Sequence, residues 1–247
     1  QHLHDLIRPI AGRAEIGEQT VMDFASSDGV ARLACQMAFA LTQKWEGLVL
    51  KACQDPYIGV DGRMSRYVKL KKDYIPGLGD SADLVVIGGR GDPLTAESLG
   101  LERESWTTFF LACRETSGDC YDAEATTYCR IVGQVSRPSI SVPDMQYLNA
   151  RGRLSQISYS KDCKKPHVVT KLRGRDLPTH LFSQPAVAEV VGAGFDRPAN
   201  ARYLTLRFPR VVKIHHDRSP EDAVDFAEYQ HMAEARRESI DHDENQY

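Results

Sequence analysis

The 247-residue chain lacks the patterns that mark several classes of protein. Its six cysteines include no C-x-x-C pair, which argues against a zinc site and against a disulfide framework. No apolar run approaches the roughly 18 residues of a membrane span. No basic and then apolar leader precedes a small-residue cleavage site. These absences favour free, buried thiols in a reducing compartment.

A large net charge is lacking too, because the formal value is only −3. That sum hides two opposite segments. Residues 151–175 carry eight Lys or Arg against one Asp, and residues 219–247 carry nine Asp or Glu against two Arg. The chain therefore contains a basic segment and an acidic tail within an otherwise ordinary globular composition.

The first third of the chain has the apolar periodicity of a mixed α and β structure. Residues 5–25 indicate one or two strands with a turn, and an apolar stripe predicts a helix over 28–44. Strands are predicted over 46–53 and 65–74. The segment "IPGLGDS", 75–81, is typical of a Pro/Gly hinge, and we expect a domain boundary there.

The remainder is predicted to form mainly short strands. One helix is predicted over 143–152, and another from Ser219 to about 237, with the last ten residues disordered. The strand segments are 83–89, 105–113, 126–135, 167–172, 186–195 and 204–215. Five or six strands with one helix suit a small closed barrel.

Two lysines on the strand "RYVKLKKDY" raise the question of chemistry. Side chains alternate along a strand, so Lys69 and Lys71 share one face about 7 Å apart. Glu46 and Lys51 lie at the two ends of the preceding strand. A carboxylate beside paired lysines suits a nucleotide phosphate with a hard metal ion. The alternative is a solvated edge strand whose lysines discourage pairing.

Four strings together resemble the ATP-dependent DNA ligases. They are E-G-L-V-L-K (46–51), K-L-K-K-D-Y (69–74), G-x-G-D-x-x-D-L-V-V-I-G-G (77–89) and the L-R-F-P-R that begins at Leu206. The resemblance implies an α+β chain in three parts. A partial nucleotidyltransferase (adenylation) domain would cover 1–75, an OB-fold β-barrel 76–218, and a C-terminal helix with an acidic tail 219–247.

The resemblance also implies roles for the residues of the first two strands. Glu46 would bind Mg²⁺ and the nucleotide, and Lys69 and Lys71 would contact the α-phosphate of ATP as catalytic residues. Lys51 would flank the same nucleotide pocket.

From the last motif, Arg207 and Arg210 would orient the departing pyrophosphate, with Arg210 counted as catalytic. Asp73 would lie near the swivel between the domains. This family's motif usually has an arginine where His215 stands. His215 is therefore either a phosphate ligand or a plain exposed strand histidine.

The basic segment is the candidate nucleic-acid surface. Loops of OB barrels often bind nucleic acid, and cations there would make sequence-independent phosphate contacts. The implied partner is nicked double-stranded DNA bound by a nuclear, monomeric protein; the alternative is a solvated basic loop. The candidate residues are Lys164, Lys165, Lys171, Arg173 and Arg175.

One expected element is absent from the 247 residues. Members of this family attach AMP to a lysine in a K-x-D-G string, and the chain contains none. The string "GVDGR", 59–63, has Gly59 at the lysine's place and is interpreted as a turn. Because the chain also begins with Gln1, we expect a fragment that cannot form the lysyl adenylate. The alternative is a non-catalytic OB-type nucleic-acid-binding or scaffold module.

Overall fold

The structure is a computed structural model. It describes residues 6–14, 16–43, 45–54, 67–115, 129–158, 168–169, 177–199 and 201–244. The chain divides into two compact units, unit 1 (Gln1–Lys69) and unit 2 (Leu70–Tyr247). The domain limits expected from the sequence, with a first boundary at 75, stay predictions.

Unit 1 contains one helix and a small sheet. Helix α1 (Gly29–Thr42) agrees with the predicted helix, and β1 (Gly47–Lys51) pairs with β2 (Tyr67–Lys71) in a two-stranded sheet. The strands predicted over 5–25 are wrong for the described residues, where Ile10 and Ala14 form only an isolated bridge. The large apolar residues Leu6, Ile10, Val21 and Phe24 are exposed there, and the described residues of this segment form no ladder.

The lysine strand ends earlier than predicted. After β2 the chain enters a 3-10 turn (Lys72–Tyr74), closed by the Ile75 N–H, which donates to the Lys72 carbonyl at 3.1 Å. Asp73 therefore does not continue the strand alternation, and its side chain is buried. Gly77 has a positive φ of 81°, which explains the glycine in the tight turn that follows.

Unit 2 is built on a seven-stranded sheet, in the order β11-β8-β3-β4-β5-β7 with β6 also paired to β8. All pairings are antiparallel except β5 with β7. Strands β9 (Phe195–Asp196) and β10 (Thr205–Leu206) form a separate pair. The sheet strands are β3 (Asp80–Gly91), β4 (Trp106–Arg114), β5 (Cys129–Val135), β6 (Gln156–Ser158), β7 (Val168–Val169), β8 (His180–Gly192) and β11 (Arg210–His215).

Alternation along β3 separates two apolar clusters. Leu84 and Val86 enter one cluster, whereas Val85 and Ile87 enter the other. The next residue has to be glycine, because a Cβ on Gly88 would lie 2.3 Å from the His180 carbonyl oxygen. The sheet is thus buried on both faces at its centre, which explains the continuous apolar run.

Helices complete unit 2. Helix α3 (Val142–Arg153), capped by Ser141, agrees with the predicted one, whereas the short α2 (Pro93–Ser98) was not predicted. Helix α4 (Phe226–Glu244) starts later and ends later than predicted, and the disorder expected for the tail is wrong through Glu244. A 3-10 turn with a capping box on Ser219 precedes it. No helix in the described part of the chain is long and apolar enough to span a membrane.

The mixed α and β class with an antiparallel sheet is confirmed. The strand ladder of the described residues does not close into a barrel, because β11 and β7 lie at its two ends. One backbone hydrogen bond links β11 to the segment that follows β5. In it the Val211 N–H donates to the Ser139 carbonyl at 2.9 Å.

Candidate functional site

The turn that links β10 to β11, Arg207–Arg210, is the most unusual backbone feature of unit 2. Phe208 has a positive φ of 50° although it carries a side chain, and that side chain is 63% exposed. Such a conformation is uncommon and costs free energy unless the surroundings fix it. Two backbone bonds of 2.9 Å between Arg207 and the Ala193–Gly194 segment fix the start of the turn.

Helix α4 holds the strand that leads into this turn. The Tyr229 hydroxyl accepts from the Leu206 N–H at 2.9 Å, inside the core. The Gln230 side chain accepts from the Leu204 N–H at 2.8 Å and donates to the Leu204 carbonyl at 3.0 Å. Because these hydrogen bonds are made to backbone groups of Leu204 and Leu206, they fix the position of the chain at the start of the Arg207–Arg210 turn.

Arg210 is engaged by the segment that follows the lysine strand. Its Nη2 donates to Asp73 Oδ2 at 2.9 Å and to the Asp73 carbonyl, and its guanidinium lies 5.2 Å from the Tyr74 ring centroid. The Asp73 side chain is only 4% exposed, and its Oδ1 has no partner among the described residues. A buried carboxylate of this kind depends on its cation.

Two further predicted site residues lie around Phe208. The Lys71 ammonium is 5.5 Å and the Arg207 guanidinium 5.4 Å from the ring centroid. Arg207 also pairs with Asp196 at 3.8 Å. The structure therefore brings Lys71, Arg207 and Arg210 to one turn of unit 2.

A second buried carboxylate, Asp80, holds two cations that the sequence reasoning missed. Lys72 pairs with it at 3.2 Å and Arg236 of α4 at 3.3 Å, while the Asp80 side chain is 4% exposed. Asp80 thus ties the 3-10 turn after β2 to the C-terminal helix. The G-x-G-D string was visible in the sequence. One partner of its aspartate, Lys72, lies nearby along the chain, whereas the other, Arg236, belongs to the C-terminal helix.

His215 is not the plain exposed strand histidine of the second interpretation, and its role as a phosphate ligand stays a prediction. It is buried rather than exposed, and its Nε2 lies 3.1 Å from Asp83 Oδ1. Arg218 pairs with the other oxygen of Asp83. The histidine therefore joins β11 to β3 through the first residue of the D-L-V-V-I-G-G string, which makes its contact structural.

The predicted residues of unit 1 lie on its small sheet. Glu46 directly precedes β1, Lys51 ends β1, and Lys69 lies within β2 with its ammonium 5.5 Å from the Tyr67 ring centroid. All three are exposed, and the two strands that carry them pair as expected.

Several predictions fall outside the described residues. These are the turn at 59–63 and all five cations of the predicted nucleic-acid surface (Lys164, Lys165, Lys171, Arg173 and Arg175). Within the described part of the chain, no three His, Cys, Asp or Glu side chains cluster as a metal site would require.

The sequence is similar to proteins named DNA ligase. DNA ligase 3 of Dictyostelium discoideum is 27% identical over 227 residues, which are 89% of this chain and 17% of that protein. The DNA ligase of fowlpox virus is 26% identical over 229 residues, 90% of this chain and 36% of the viral protein. An archaeal DNA ligase, from Saccharolobus shibatae, is 26% identical over 201 residues, 74% and 29% of the two chains.

The chain thus spans between 17% and 36% of the length of these relatives. Among solved structures, the ligase domain of M. tuberculosis LigD matches 79% of this chain and 51% of its own, with 19% identity and a TM-score of 0.43. No family model matches the chain.

Proposed function

We propose, from the premise that this chain is a relative of the DNA ligases, that it forms part of an ATP-dependent DNA ligase and binds nucleotide phosphates and nicked duplex DNA. The observation that carries the proposal is sequence similarity to ligases of a eukaryote, a virus and an archaeon over 74% to 90% of the chain. The whole reaction would attach AMP from ATP to a lysine, with pyrophosphate as the leaving group, and pass it to a 5′-phosphate. Attack by the 3′-hydroxyl on that phosphate would then seal the nick and release AMP.

The residues of unit 1 would act at the nucleotide. Lys69 would neutralise charge on the α-phosphate as it develops in the transition state, and Lys51 would flank the phosphates. Mg²⁺ commonly uses one or two carboxylates together with substrate phosphates and water, so Glu46 alone fits the protein's share. A bound Mg²⁺ would supply additional positive charge at the phosphates.

The phosphate groups of the nucleotide would also be contacted by three cations of unit 2, namely Lys71, Arg207 and Arg210. A planar guanidinium matches a phosphate in a bidentate contact. Arg210 now contacts the Asp73 carboxylate through one nitrogen, Nη2, which donates to Oδ2 at 2.9 Å. To orient a pyrophosphate it would exchange one anionic partner for another, and Asp73 would then need a new hydrogen-bond donor.

We also propose that unit 2 is an OB-type barrel. An OB fold is a five-stranded and partly open Greek-key barrel. Among the described residues of unit 2, the strands with six residues or more are β3, β4, β5, β8 and β11. Helix α3 lies between β5 and β8 in the chain. The bond between Val211 and Ser139 supports closure.

The proposal is tested by two measurements on the full chain. Incubation with labelled ATP and Mg²⁺ should give no covalently labelled band, because the chain has no K-x-D-G string. A labelled band would show that the nucleophilic lysine lies within the 247 residues, and would overturn the expectation that this chain cannot form the lysyl adenylate. Binding to a nicked, 5′-phosphorylated duplex should be weak and should fall with salt.

The basic segment is tested by neutralising Lys164, Lys165, Lys171 and Arg173 to Gln. The salt dependence of duplex binding should flatten, because fewer counterions are released. The matched control neutralises four cations elsewhere, namely Arg8, Arg13, Arg32 and Arg103. An equal effect of both sets would contradict a specific role for the basic segment.

The second candidate is a non-catalytic nucleic-acid-binding or scaffold module, which the absence of K-x-D-G from the 247 residues favours. The gene sequence upstream of the Gln1 codon distinguishes the ligase from the non-catalytic module. An in-frame K-x-D-G string would support the ligase, and its absence the module. Nuclear localisation and a monomeric state are part of the ligase proposal and are tested by imaging and by sedimentation.

A further inference from the structure

A pocket separate from the Arg207–Arg210 turn lies where the ends of β3, β4 and β5 meet. Its volume is about 370 Å³. Cationic and hydroxyl side chains from four consecutive segments line it: Arg90, Thr95, Thr107, Thr108, Ser136 and Arg137. Neither the sequence motifs nor the proposed nucleotide site uses any of these residues.

The strand register sets the spacing of this lining. Arg90 of β3 is paired with Thr108 of β4, and Phe109 is paired with Val135 of β5. The next position in that antiparallel register brings Thr108 opposite Ser136, and Arg137 follows directly. An arginine, a threonine and a serine thus form one cross-strand row, and a second arginine follows the serine along the chain.

The first arginine of the row is also oriented by an aromatic ring. The Arg90 guanidinium lies 5.7 Å from the Phe110 ring centroid, which limits where its donors can point. Arg90 is half-buried and Arg137 exposed, so the pair spans the pocket from its wall to its mouth.

The pocket also contains one carboxylate, Asp92, whose hydrogen bonds serve the start of α2. Its Oδ1 accepts from the Leu94 N–H at 3.1 Å, and its Oδ2 accepts from the Thr95 hydroxyl at 2.8 Å. The Thr95 hydrogen bond lowers the pKa of Asp92, which is therefore ionised at neutral pH. Two guanidinium groups and one carboxylate thus line the pocket.

We propose that this pocket binds a phosphate group. Guanidinium groups bind phosphate in a planar, bidentate manner, and hydroxyl groups donate to its remaining oxygens. Two arginines and up to three further hydroxyls, those of Thr107, Thr108 and Ser136, suit a tetrahedral oxyanion better than a planar carboxylate. The natural source would be a backbone phosphate of duplex DNA, and this identification of the source rests on the proposed function; a free phosphate ion is the other source.

The pocket itself is tested with inorganic phosphate. Full-length ¹⁵N-labelled chain is titrated with sodium phosphate, and with sodium chloride at matched ionic strength. Saturable shifts of the Thr107, Thr108 and Ser136 amides are expected with phosphate alone. They should be lost in Arg137→Gln, an exposed substitution that leaves the core intact, and kept in the control Arg103→Gln. Shifts that are the same in both salts, or that persist in Arg137→Gln, would overturn the proposal.

The source is tested with a nicked, 5′-phosphorylated duplex. Arg137→Gln should weaken binding about fivefold and reduce the slope of log K against log salt by about 1, whereas Arg103→Gln should leave both unchanged. If the wild-type chain binds the duplex and Arg137→Gln binds it equally, DNA is excluded as the source. If the wild-type chain does not bind the duplex but phosphate still saturates the pocket, the proposed function fails and the pocket stands.

Discussion

Units 1 and 2 differ most in how much apolar surface they bury. The described residues of unit 1 include two buried apolar side chains, Met37 and Ala40, whereas unit 2 has two large clusters on the faces of its sheet. Unit 1 also exposes large apolar side chains, including Val30 at 74% and Val49 at 54%. Unit 2 is thus stabilised by its own core, while unit 1 presents the kind of surface that marks an interaction site or an aggregation liability.

The largest expected contrast is in thiol reactivity. Cys35 and Cys53 of unit 1 are exposed, which corrects the expectation of buried thiols, whereas Cys113 and Cys129 of unit 2 are buried. Burial raises the pKa of Cys129 to about 12, so roughly one part in ten thousand is thiolate at pH 8. When the chain is labelled with a thiol-specific reagent, a fast phase of labelling should disappear in Cys35→Ser and another in Cys53→Ser. The buried thiols of Cys113 and Cys129 should react only in denaturant.

The same raised pKa has a consequence for stability. The contribution of the buried Cys129 thiol to the free energy of unfolding is fully present below the thiol's ordinary pKa of about 8.5. It is lost as the pH rises through about 12. Fast labelling of Cys129 in the native chain, tested by mass spectrometry of its peptide, would contradict the core described for unit 2.

The next contrast is the cost of removing a core side chain. Phe109→Ala in unit 2 should lower the free energy of unfolding by about 3–5 kcal/mol, because Phe109 is fully buried. Met37→Ala in unit 1 should cost less than about 2 kcal/mol, because few apolar groups surround it. Each unit has its own tryptophan, Trp45 or Trp106, so urea titrations of single-tryptophan variants can follow the units separately. Equal costs would contradict the contrast.

A smaller effect is expected from a polar group in the core of unit 2. Asn149 accepts from the Trp106 N–H at 2.7 Å and donates to the Trp106 and Met145 carbonyls at 3.0 and 2.8 Å. Asn149→Ala would remove the side-chain partner of the buried Trp106 N–H and carbonyl and should cost about 2–3 kcal/mol. The control is Gln146→Ala on the exposed face of the same helix. A cost within about 0.5 kcal/mol of the control would refute the role of this amide.

The smallest effect is expected from the Tyr229 hydroxyl, which holds the chain at the start of the Arg207–Arg210 turn. Tyr229→Phe removes the hydroxyl that accepts from Leu206 and should cost about 1 kcal/mol. Its readout is local: amide hydrogen exchange should rise at Leu206 and Arg207 and stay unchanged in β4. Tyr67→Phe, an exposed change in unit 1, is the control. Uniform or absent exchange changes would show that α4 does not position the turn.

The sequence predicts the elements that local patterns determine. Helices α1 and α3 lie close to their predicted limits, because an apolar stripe and a Ser141 cap are local signals. The strand predicted over 204–215 is instead interrupted by the Arg207–Arg210 turn, whose conformation depends on bonds to Gly194 and to α4. No local pattern indicates bonds between residues so far apart.

The same reason explains the candidate site. The motifs identified Lys71, Arg207 and Arg210, which the structure places around one turn, but not the partners Asp73, Asp80 and Tyr229 in the roles they have. His215 shows the converse error, because a strand position near the chain's basic motif gives no sign of the Asp83 carboxylate on another strand. Charge partners follow from the strand order of the sheet, which the sequence patterns did not specify.

The central claim, that this relative of the DNA ligases binds the phosphates of nicked duplex DNA, is tested most directly by one titration. Fluorescence anisotropy measures binding of the full chain to a nicked, 5′-phosphorylated duplex between 50 and 200 mM salt. We predict that log K falls linearly with log salt, with a slope steeper than about −2, as expected for several phosphate contacts. No binding at 50 mM salt, or binding that is independent of salt, would contradict the account.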